Sequence, residues 1–278
     1  MKRILITGAT GFVGKQLINI LNNKKVKLIL IIRNKKDIPT IFNKYKNVEK
    51  IIFSKNIFTE KIEWWTKQCK GIDIIIHLAW YVKPGTYLNS SKNIDCLIGT
   101  LNLAKGAVKS SVKKFVGIGT CFEYDLSYKK LSVNTPIKPT SCYASSKSSV
   151  FFALSSFLPL NLVKFAWCRL FYLYGEGEDN RRLVPFLRSQ LEKGEKINLE
   201  NKNYVRDFLN VKDAAKKISK IALNKKIGAI NICSGTPITI KQIAEQIADE
   251  YGRRDLLKFK KKTKKTFIPP HVLGVPNF

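Results

Sequence analysis

Short runs of β-branched and aliphatic residues alternate with amphipathic stretches through the first half of the chain. Strand-like runs fall at Arg3–Thr7, Val26–Ile32, Lys50–Phe53, Ile72–His77 and Lys114–Gly119. Helical patterns separate them at Phe12–Asn22, Thr59–Cys69 and Tyr87–Ser110; a further helix begins near Cys142, and Leu160–Phe171 supplies the next strand. Strands that alternate with helices pair in parallel, because each helical crossover returns the chain to the same end of the sheet. The pattern predicts an α/β fold with a doubly wound parallel sheet covered by helices on both faces.

After Tyr174-Gly175-Glu176-Gly177-Glu178 the rhythm changes. A helix at Arg182–Glu192, short strands near Ile197–Leu199 and Val205–Leu209, a helix at Val211–Leu223, a strand at Ala229–Cys233 and a helix at Ile240–Tyr251 read as a smaller C-terminal α+β lobe. Its segments need the sheet to complete their core. Two domains are expected, 1–175 and 176–278, with segments interleaved. The basic run from Lys258 to Lys265 reads as a solvated loop.

Composition narrows the function classes. The 278 residues are 45% hydrophobic, enough for a real core. Lys plus Arg total 50 against 20 Asp plus Glu, a formal net charge of +30 that attracts anions in general. The lysines run through almost every segment, which describes a solvated basic surface better than a polyanion groove. Without an aromatic-interleaved basic strand or a helix-turn-helix pattern, no specific nucleic-acid partner is expected. The longest apolar run, Val163–Leu173, contains Arg169 and falls short of the ~20 residues a bilayer needs, so no membrane partner is expected. The apolar start of the chain breaks at Thr7-Gly8-Ala9-Thr10-Gly11, which argues against an export signal. The six cysteines (69, 96, 121, 142, 168 and 233) are scattered, and the two histidines, His77 and His271, stand far apart. That spacing suits no metal site and fits reduced thiols in the cytoplasm.

Chemistry first shows at Thr7-Gly8-Ala9-Thr10-Gly11-Phe12-Val13-Gly14, between the first strand and the first helix. Glycine lets a backbone turn sharply and approach a pyrophosphate, while the helix N-terminus offers unpaired N–H groups. Gly8, Thr10, Gly11, Phe12, Val13 and Gly14 therefore form the expected dinucleotide cradle of a Rossmann sheet. The second strand ends Ile32-Arg33-Asn34-Lys35-Lys36, without the acid that holds the adenosine ribose of NAD in such folds. Arg33 stands where a 2′-phosphate would lie, which favours NADP(H). NAD(H) is the alternative if Arg33 stacks on the adenine or points to solvent.

Tyr143-Ala144-Ser145-Ser146-Lys147 places a phenol and an ammonium one helical turn apart. A neighbouring cation lowers a phenol's pKa from its ordinary ~10 and suits it to proton transfer. Thr120, just past the fifth strand, adds a hydroxyl where such sheets present their ligands.

Gly8, Gly11 and Gly14, then Asp73-Ile74-Ile75-Ile76-His77-Leu78-Ala79, Thr120, Tyr143 with Lys147, and Arg206-Asp207-Phe208-Leu209-Asn210-Val211-Lys212-Asp213 follow in an order that resembles the extended short-chain dehydrogenase/reductase family. Within it, the set is similar to the NAD-dependent epimerase/dehydratase group acting on nucleotide sugars. The resemblance runs from Lys2 to about Gly252. It implies that Tyr143 exchanges a proton with the sugar, that Lys147 holds the nicotinamide ribose and tunes Tyr143, and that Thr120 hydrogen-bonds the reacting oxygen. It further implies that Leu78, Ala79 and Trp80 pack along the cofactor, with Asn93 on the following helix and with Asn56 and Ile57 near the adenine. Arg206 would clamp the substrate diphosphate, with Tyr172 and Arg182 also at the substrate. An ion pair with Asp207 or Asp213 is the plainer reading of Arg206, as a core imidazole is of His77. Asp213 would cap or orient the helix it precedes.

Departures from the family pattern matter as much. Family 4,6-dehydratases carry Asp-Glu after the threonine; here Cys121 and Phe122 stand there and cannot shuttle that proton. Tyr172 replaces a family Asn, and Asn56 replaces an Asp near the adenine. The resemblance thus implies a reductase of a nucleotide-activated 4-keto-6-deoxy sugar for surface polysaccharide, most like the branch that includes synthases of cytidine-diphosphate 3,6-dideoxyhexoses. A nucleotide-sugar 4-epimerase is the alternative. A non-catalytic dinucleotide-binding protein is disfavoured by the intact Thr120, Tyr143 and Lys147. A homodimer is expected through the helices Tyr87–Ser110 and Cys142–Phe157, with Phe151, Phe152, Leu154 and Leu158 as surplus apolar surface unless all four pack on the sheet. Family chains commonly run further than Phe278.

Overall fold

In a computed structural model, which describes residues 1–260 and 269–278, the first half forms β1 (Lys2–Thr7), α1 (Phe12–Leu21), β2 (Val26–Ile32), α2 (Ile38–Lys44), β3 (Val48–Phe53) and α3 (Ile62–Cys69). It continues through β4 (Ile74–His77), α4 (Lys92–Lys109), β5 (Lys114–Thr120), α5 (Cys142–Leu160) and β6 (Lys164–Leu170). The remainder comprises β7 (Tyr172–Tyr174), α6 (Leu183–Glu192), β8 (Ile197–Leu199), β9 (Val205–Arg206), β10 (Phe208–Asn210), α7 (Val211–Leu223) and β11 (Gly228–Ile232). The last elements are β12 (Ile238–Thr239), α8 (Ile240–Glu250), β13 (Leu257–Phe259) and β14 (His271–Val272).

Seven parallel strands line up in the order β11-β6-β5-β4-β1-β2-β3. Strand alternation divides their side chains between two cores. Ile4 and Ile6 face α1 and α7 with Leu17, Leu21, Ile218 and Ile221. Leu5 points the other way, to Trp65, Leu103, Leu154 and Trp167 of the face built from α3, α4, α5 and β6. A third cluster joins Val184, Leu187 and Leu191 of α6 to Ile243 and Ile247 of α8. The sheet takes back residues 211–232, because α7 packs on α1 and β11 extends the sheet beside β6.

Several sequence expectations shift locally, each for a visible reason. The Tyr87–Ser110 pattern divides into a 3-10 turn at Tyr87–Asn89 and α4, separated by extended Ser90. The helix expected from Thr59 starts at Ile62, because the Asn56 carbonyl holds both the amide and the hydroxyl of Thr59 in a turn. The run Val205–Leu209 is two strands, broken at Asp207, whose carboxylate accepts from the amides of Ser234, Gly235 and Gly274. Lys258 and Phe259 belong to β13 rather than to a loop, whereas Lys261 to Lys265 lie outside the described residues. Among the described residues no helix is long and apolar enough to cross a membrane.

Of the four residues expected to give surplus apolar surface, Leu154 and Leu158 are buried against the sheet and Phe151 packs beside them. Only Phe152 stays open, 56% exposed, and it is joined on α4 by Ile94 at 47% and Ile98 at 52%.

Candidate active site

The loop after β1 is shaped by what it excludes. Gly8 sits at φ +71°, the left-handed region that favours glycine, and a Cβ there would lie 2.8 Å from the Ala79 amide. A Cβ on Gly14 would collide with the carbonyls of Gly8 and Ala9. Gly11 caps α1 with no side-chain hydrogen bond, and the first turn carries no acid. The first amides of α1, including Phe12 and Val13, are thus left to an anion, and the glycines leave room for it. The residues present fit a dinucleotide pyrophosphate.

The floor of the cradle is tied by Thr7, whose Oγ1 lies 2.8 Å from His77 Nδ1 and accepts from the Ala79 amide at 3.3 Å. His77 Nε2 meets Thr100 Oγ1 at 2.9 Å. Burial pushes the imidazole down to about 3, so His77 is a neutral core residue that fixes Leu78 and Ala79. Arg33 is exposed just past β2, Ile57 is buried, and Asn56 forms the turn before α3, its Oδ1 accepting from Phe58. These positions surround the point where the chain leaves β1 towards β2 on one side and meets β4 on the other, the crevice where open α/β sheets bind ligands.

Thr120 ends β5, and Tyr143 and Lys147 lie on the buried face of α5. Ser141 starts that helix by accepting from the Ala144 amide at 3.2 Å. Lys147 Nζ donates to the Ile118 carbonyl and lies 3.8 Å from the centre of the Trp80 ring and 5.8 Å from that of Trp167. Burial lowers Lys147 to about 7, against the pull of Glu123 and Cys96. The Tyr143 ring meets Tyr87 edge-on at 4.9 Å and Trp80 at 6.5 Å. Burial, and Tyr87 beside it, raise the phenol well above its ordinary value, while the Thr120 hydroxyl pulls it down. The lowering expected from Lys147 one turn away is thus not what the site shows: burial outweighs it, and the phenol stays protonated at neutral pH.

Asn93 stands one layer behind. Its Oδ1 accepts from Trp80 Nε1 at 2.8 Å, and its amide nitrogen donates to the carbonyls of Tyr87 at 2.7 Å and Ser90 at 2.9 Å. Fully buried and so committed, Asn93 supports the rings rather than facing the cleft.

On the substrate side, Tyr172 has a buried hydroxyl with no hydrogen-bond partner among the described residues. Its ring packs on Phe122 at 6.2 Å and Phe208 at 5.8 Å, with the Arg206 guanidinium 5.3 Å from its centre. Arg206 is buried, donates to the Val205 carbonyl at 2.7 Å, and lies 5.2 Å from the Tyr204 ring. Among the described residues Arg206 pairs with neither Asp207 nor Asp213: Asp207 serves the amides named above, and Asp213 pairs with Lys216. Nor does Asp213 cap α7; Asn210 does, accepting from Lys212. Arg182, half exposed at the start of α6, lies 3.7 Å from Glu178 and faces the Tyr87 phenol. Burial pushes Glu178 up to about 7, with Arg182 opposing.

Two residues at this site escaped sequence reasoning. Tyr87 does so because its segment reads as plain helix. Glu123 had a signal, since Thr-x-x-Glu is a capping box, and the box is formed: the Thr120 amide donates to Glu123 Oε1 at 2.8 Å. Glu123 also receives Trp167 Nε1 at 3.0 Å and Arg169 Nε at 2.7 Å. Arg169 donates on to Tyr124, and Tyr124 to Asn231, so a buried polar chain runs from the Thr120 turn to the sheet edge. Gly117 and Gly119 of β5 make room for Trp167 above them.

The parallel sheet and its glycine cradle define an NAD-binding protein of the Rossmann class. Residues 4–233 match the model of the NAD dependent epimerase/dehydratase family, and the chain belongs to that family. It is 25% identical over 264 residues, 93% of each chain, to a dTDP-6-deoxy-L-talose 4-dehydrogenase (NAD(+)) of Aggregatibacter actinomycetemcomitans. To a putative UDP-glucose 4-epimerase of Methanocaldococcus jannaschii it is 28% identical over 264 residues, 90% of this chain and 83% of the other. A crystal structure of UDP-N-acetylglucosamine 4-epimerase from Bacillus cereus matches with a TM-score of 0.80 at 25% identity, over 94% of this chain and 86% of that one.

Proposed function

We propose that the protein is an NAD(P)-dependent oxidoreductase that reduces the C4 ketone of a nucleoside-diphosphate 6-deoxysugar to the alcohol. The observation that carries this reading is the arrangement of the proton-transfer groups. Tyr143 lies buried against the Thr120 hydroxyl, one helical turn from Lys147, while the carboxylate of the Thr120 turn, Glu123, is engaged by Arg169, Trp167 and the Thr120 amide.

When bound, the dinucleotide supplies a hydride to C4. Tyr143 gives its phenolic proton to the C4 oxygen, so that ketone, hydride and proton become the alcohol. Thr120 hydrogen-bonds the same oxygen, and the Lys147 ammonium steadies the negative charge left on the phenol. Arg206 and the buried hydroxyl of Tyr172 hold the diphosphate end, a role suited to a guanidinium. Dehydration is disfavoured: Cys121 is buried with its thiol raised far above the ordinary value by that burial, Phe122 has no proton to move, and Glu123 is locked.

The relative named as a 6-deoxy-L-talose 4-dehydrogenase supports C4 redox chemistry on a 6-deoxysugar. The relatives named as 4-epimerases support a second reading, in which the same groups oxidise and re-reduce C4 with no net use of coenzyme. Arg33, exposed at the end of β2 with no acid beside it, supports NADP(H), whereas that first relative is named for NAD(+). The open apolar side chains Ile94, Ile98 and Phe152 support a homodimer through α4 and α5. A panel of nucleoside-diphosphate 4-keto-6-deoxyhexoses, mixed with NADPH or NADH and followed by nicotinamide absorbance, tests the reading. Stoichiometric loss of absorbance with one member is expected; turnover without any loss would replace the reductase by the epimerase.

A further inference from the structure

Lys147 is an ammonium in a nearly solvent-free place, and few groups there favour its charge. One turn away on its own helix stands Tyr143, held as a neutral phenol. From β4 comes His77, neutral because of its burial. From α4 comes the Cys96 thiol, which burial keeps protonated. From the turn after β5 comes Glu123, whose carboxylate favours the charge but is shared among Arg169, Trp167 and the Thr120 amide. The Ile118 carbonyl takes one proton of the ammonium. Two indole faces complete its surroundings, Trp80 at 3.8 Å from the ring centre and Trp167 farther off at 5.8 Å.

Trp80 is not loosely placed. Its indole N–H is anchored on the fully buried Asn93, its ring packs edge-on against Phe58 at 6.4 Å, and its other neighbour is Tyr143 itself. An indole presents the most negative ring face of any side chain to a cation, and the attraction grows when water is excluded.

We propose that Trp80 is a positioning residue that helps keep the Lys147 ammonium charged and aimed, its ring face adding to the pull of a Glu123 carboxylate that is largely committed elsewhere. The proposal rests on the functional reading above, in which Lys147 acts on the coenzyme ribose and on Tyr143. Because the face favours the charged form, removing it lowers the pKa of Lys147. Deprotonation, and the loss of whatever the ammonium holds, then begins at lower pH.

NADH binding, followed by nicotinamide fluorescence across the neutral and mildly alkaline range, reads this without any substrate. The wild type should lose affinity as Lys147 deprotonates, and Lys147→Met should abolish that step. Trp80→Leu should move the step down by about one pH unit, and Trp80→Phe, which keeps a weaker ring face, by less. A uniform loss of affinity in Trp80→Leu, with the step where the wild type has it, would overturn the proposal, because a purely structural ring would act that way. If Trp80→Leu does not fold, an unshifted step in Trp80→Phe has the same force. A wild type that binds NADH with no step at all overturns it too. A wild type that binds neither NADH nor NADPH would instead overturn the functional reading.

Discussion

Removing Glu123 should cost the protein much of its stability, and the size follows from what the carboxylate holds. Glu123 and Arg169 are 0% and 1% exposed and share a charge-assisted bond of 2.7 Å. Glu123→Ala strands the guanidinium in the core, and it leaves the Trp167 indole N–H and the Thr120 amide without their acceptor. Breaking one side of a buried ion pair costs about 3–5 kcal/mol, which for a chain of this size lowers Tm by about 6–20 °C. Replacing both partners at once, as Glu123→Leu with Arg169→Met, removes the stranded charge and should give back a large part of that loss, a non-additivity of contacting residues. Thermal unfolding by circular dichroism reads both variants. A loss below about 1 kcal/mol in Glu123→Ala, or a double variant no better than the sum of its parts, would refute the argument that this pair is one buried unit.

Tyr143→Phe keeps the ring contacts and removes the proton donor, so turnover should fall roughly 10²–10⁴-fold while NADH affinity stays near wild type; comparable losses of both would contradict the assignment. Arg33→Ala should weaken NADPH roughly tenfold to a hundredfold more than NADH, since charge-assisted bonds contribute about 1.5–3 kcal/mol; equal losses in a parallel titration would discard the preference. Gly14→Ala places a methyl against the carbonyls of Gly8 and Ala9, and it should abolish coenzyme binding in calorimetry while the far-ultraviolet dichroism is kept. Phe152→Glu should convert a dimer to a monomer by light scattering, and a wild type already monomeric at micromolar concentration would remove the dimer.

Sequence periodicity was most informative where one local rule acts alone. The bounds of β2 and α7 agree with the sequence because their apolar spacing is uninterrupted, and Gly8 and Gly14 stand where the turn and the helix leave no room for a Cβ. It failed where distant chain decides. Asp207 breaks a readable strand because its carboxylate serves amides from segments around residues 234 and 274. Glu123 shows its local cap in the sequence, but its pairing with Arg169 spans 46 positions and no spacing rule reaches that far. Arg206 was identified by type, while its setting between Tyr172 and Tyr204 depends on strand pairing. Trp80 and Asn93 were placed by resemblance beside the coenzyme; their bond to each other and the stacking on Lys147 are visible only in three dimensions.

In a reductase, hydride passes from coenzyme to sugar C4 and stays there. Reduced coenzyme carrying deuterium at its transferable position, incubated with the 4-keto nucleotide sugar that supports turnover, tests this directly by mass spectrometry and proton NMR of the product. One deuterium at C4 of each product molecule, with one coenzyme oxidised for each, is the expected result. A product free of deuterium, with the coenzyme unchanged, would contradict it.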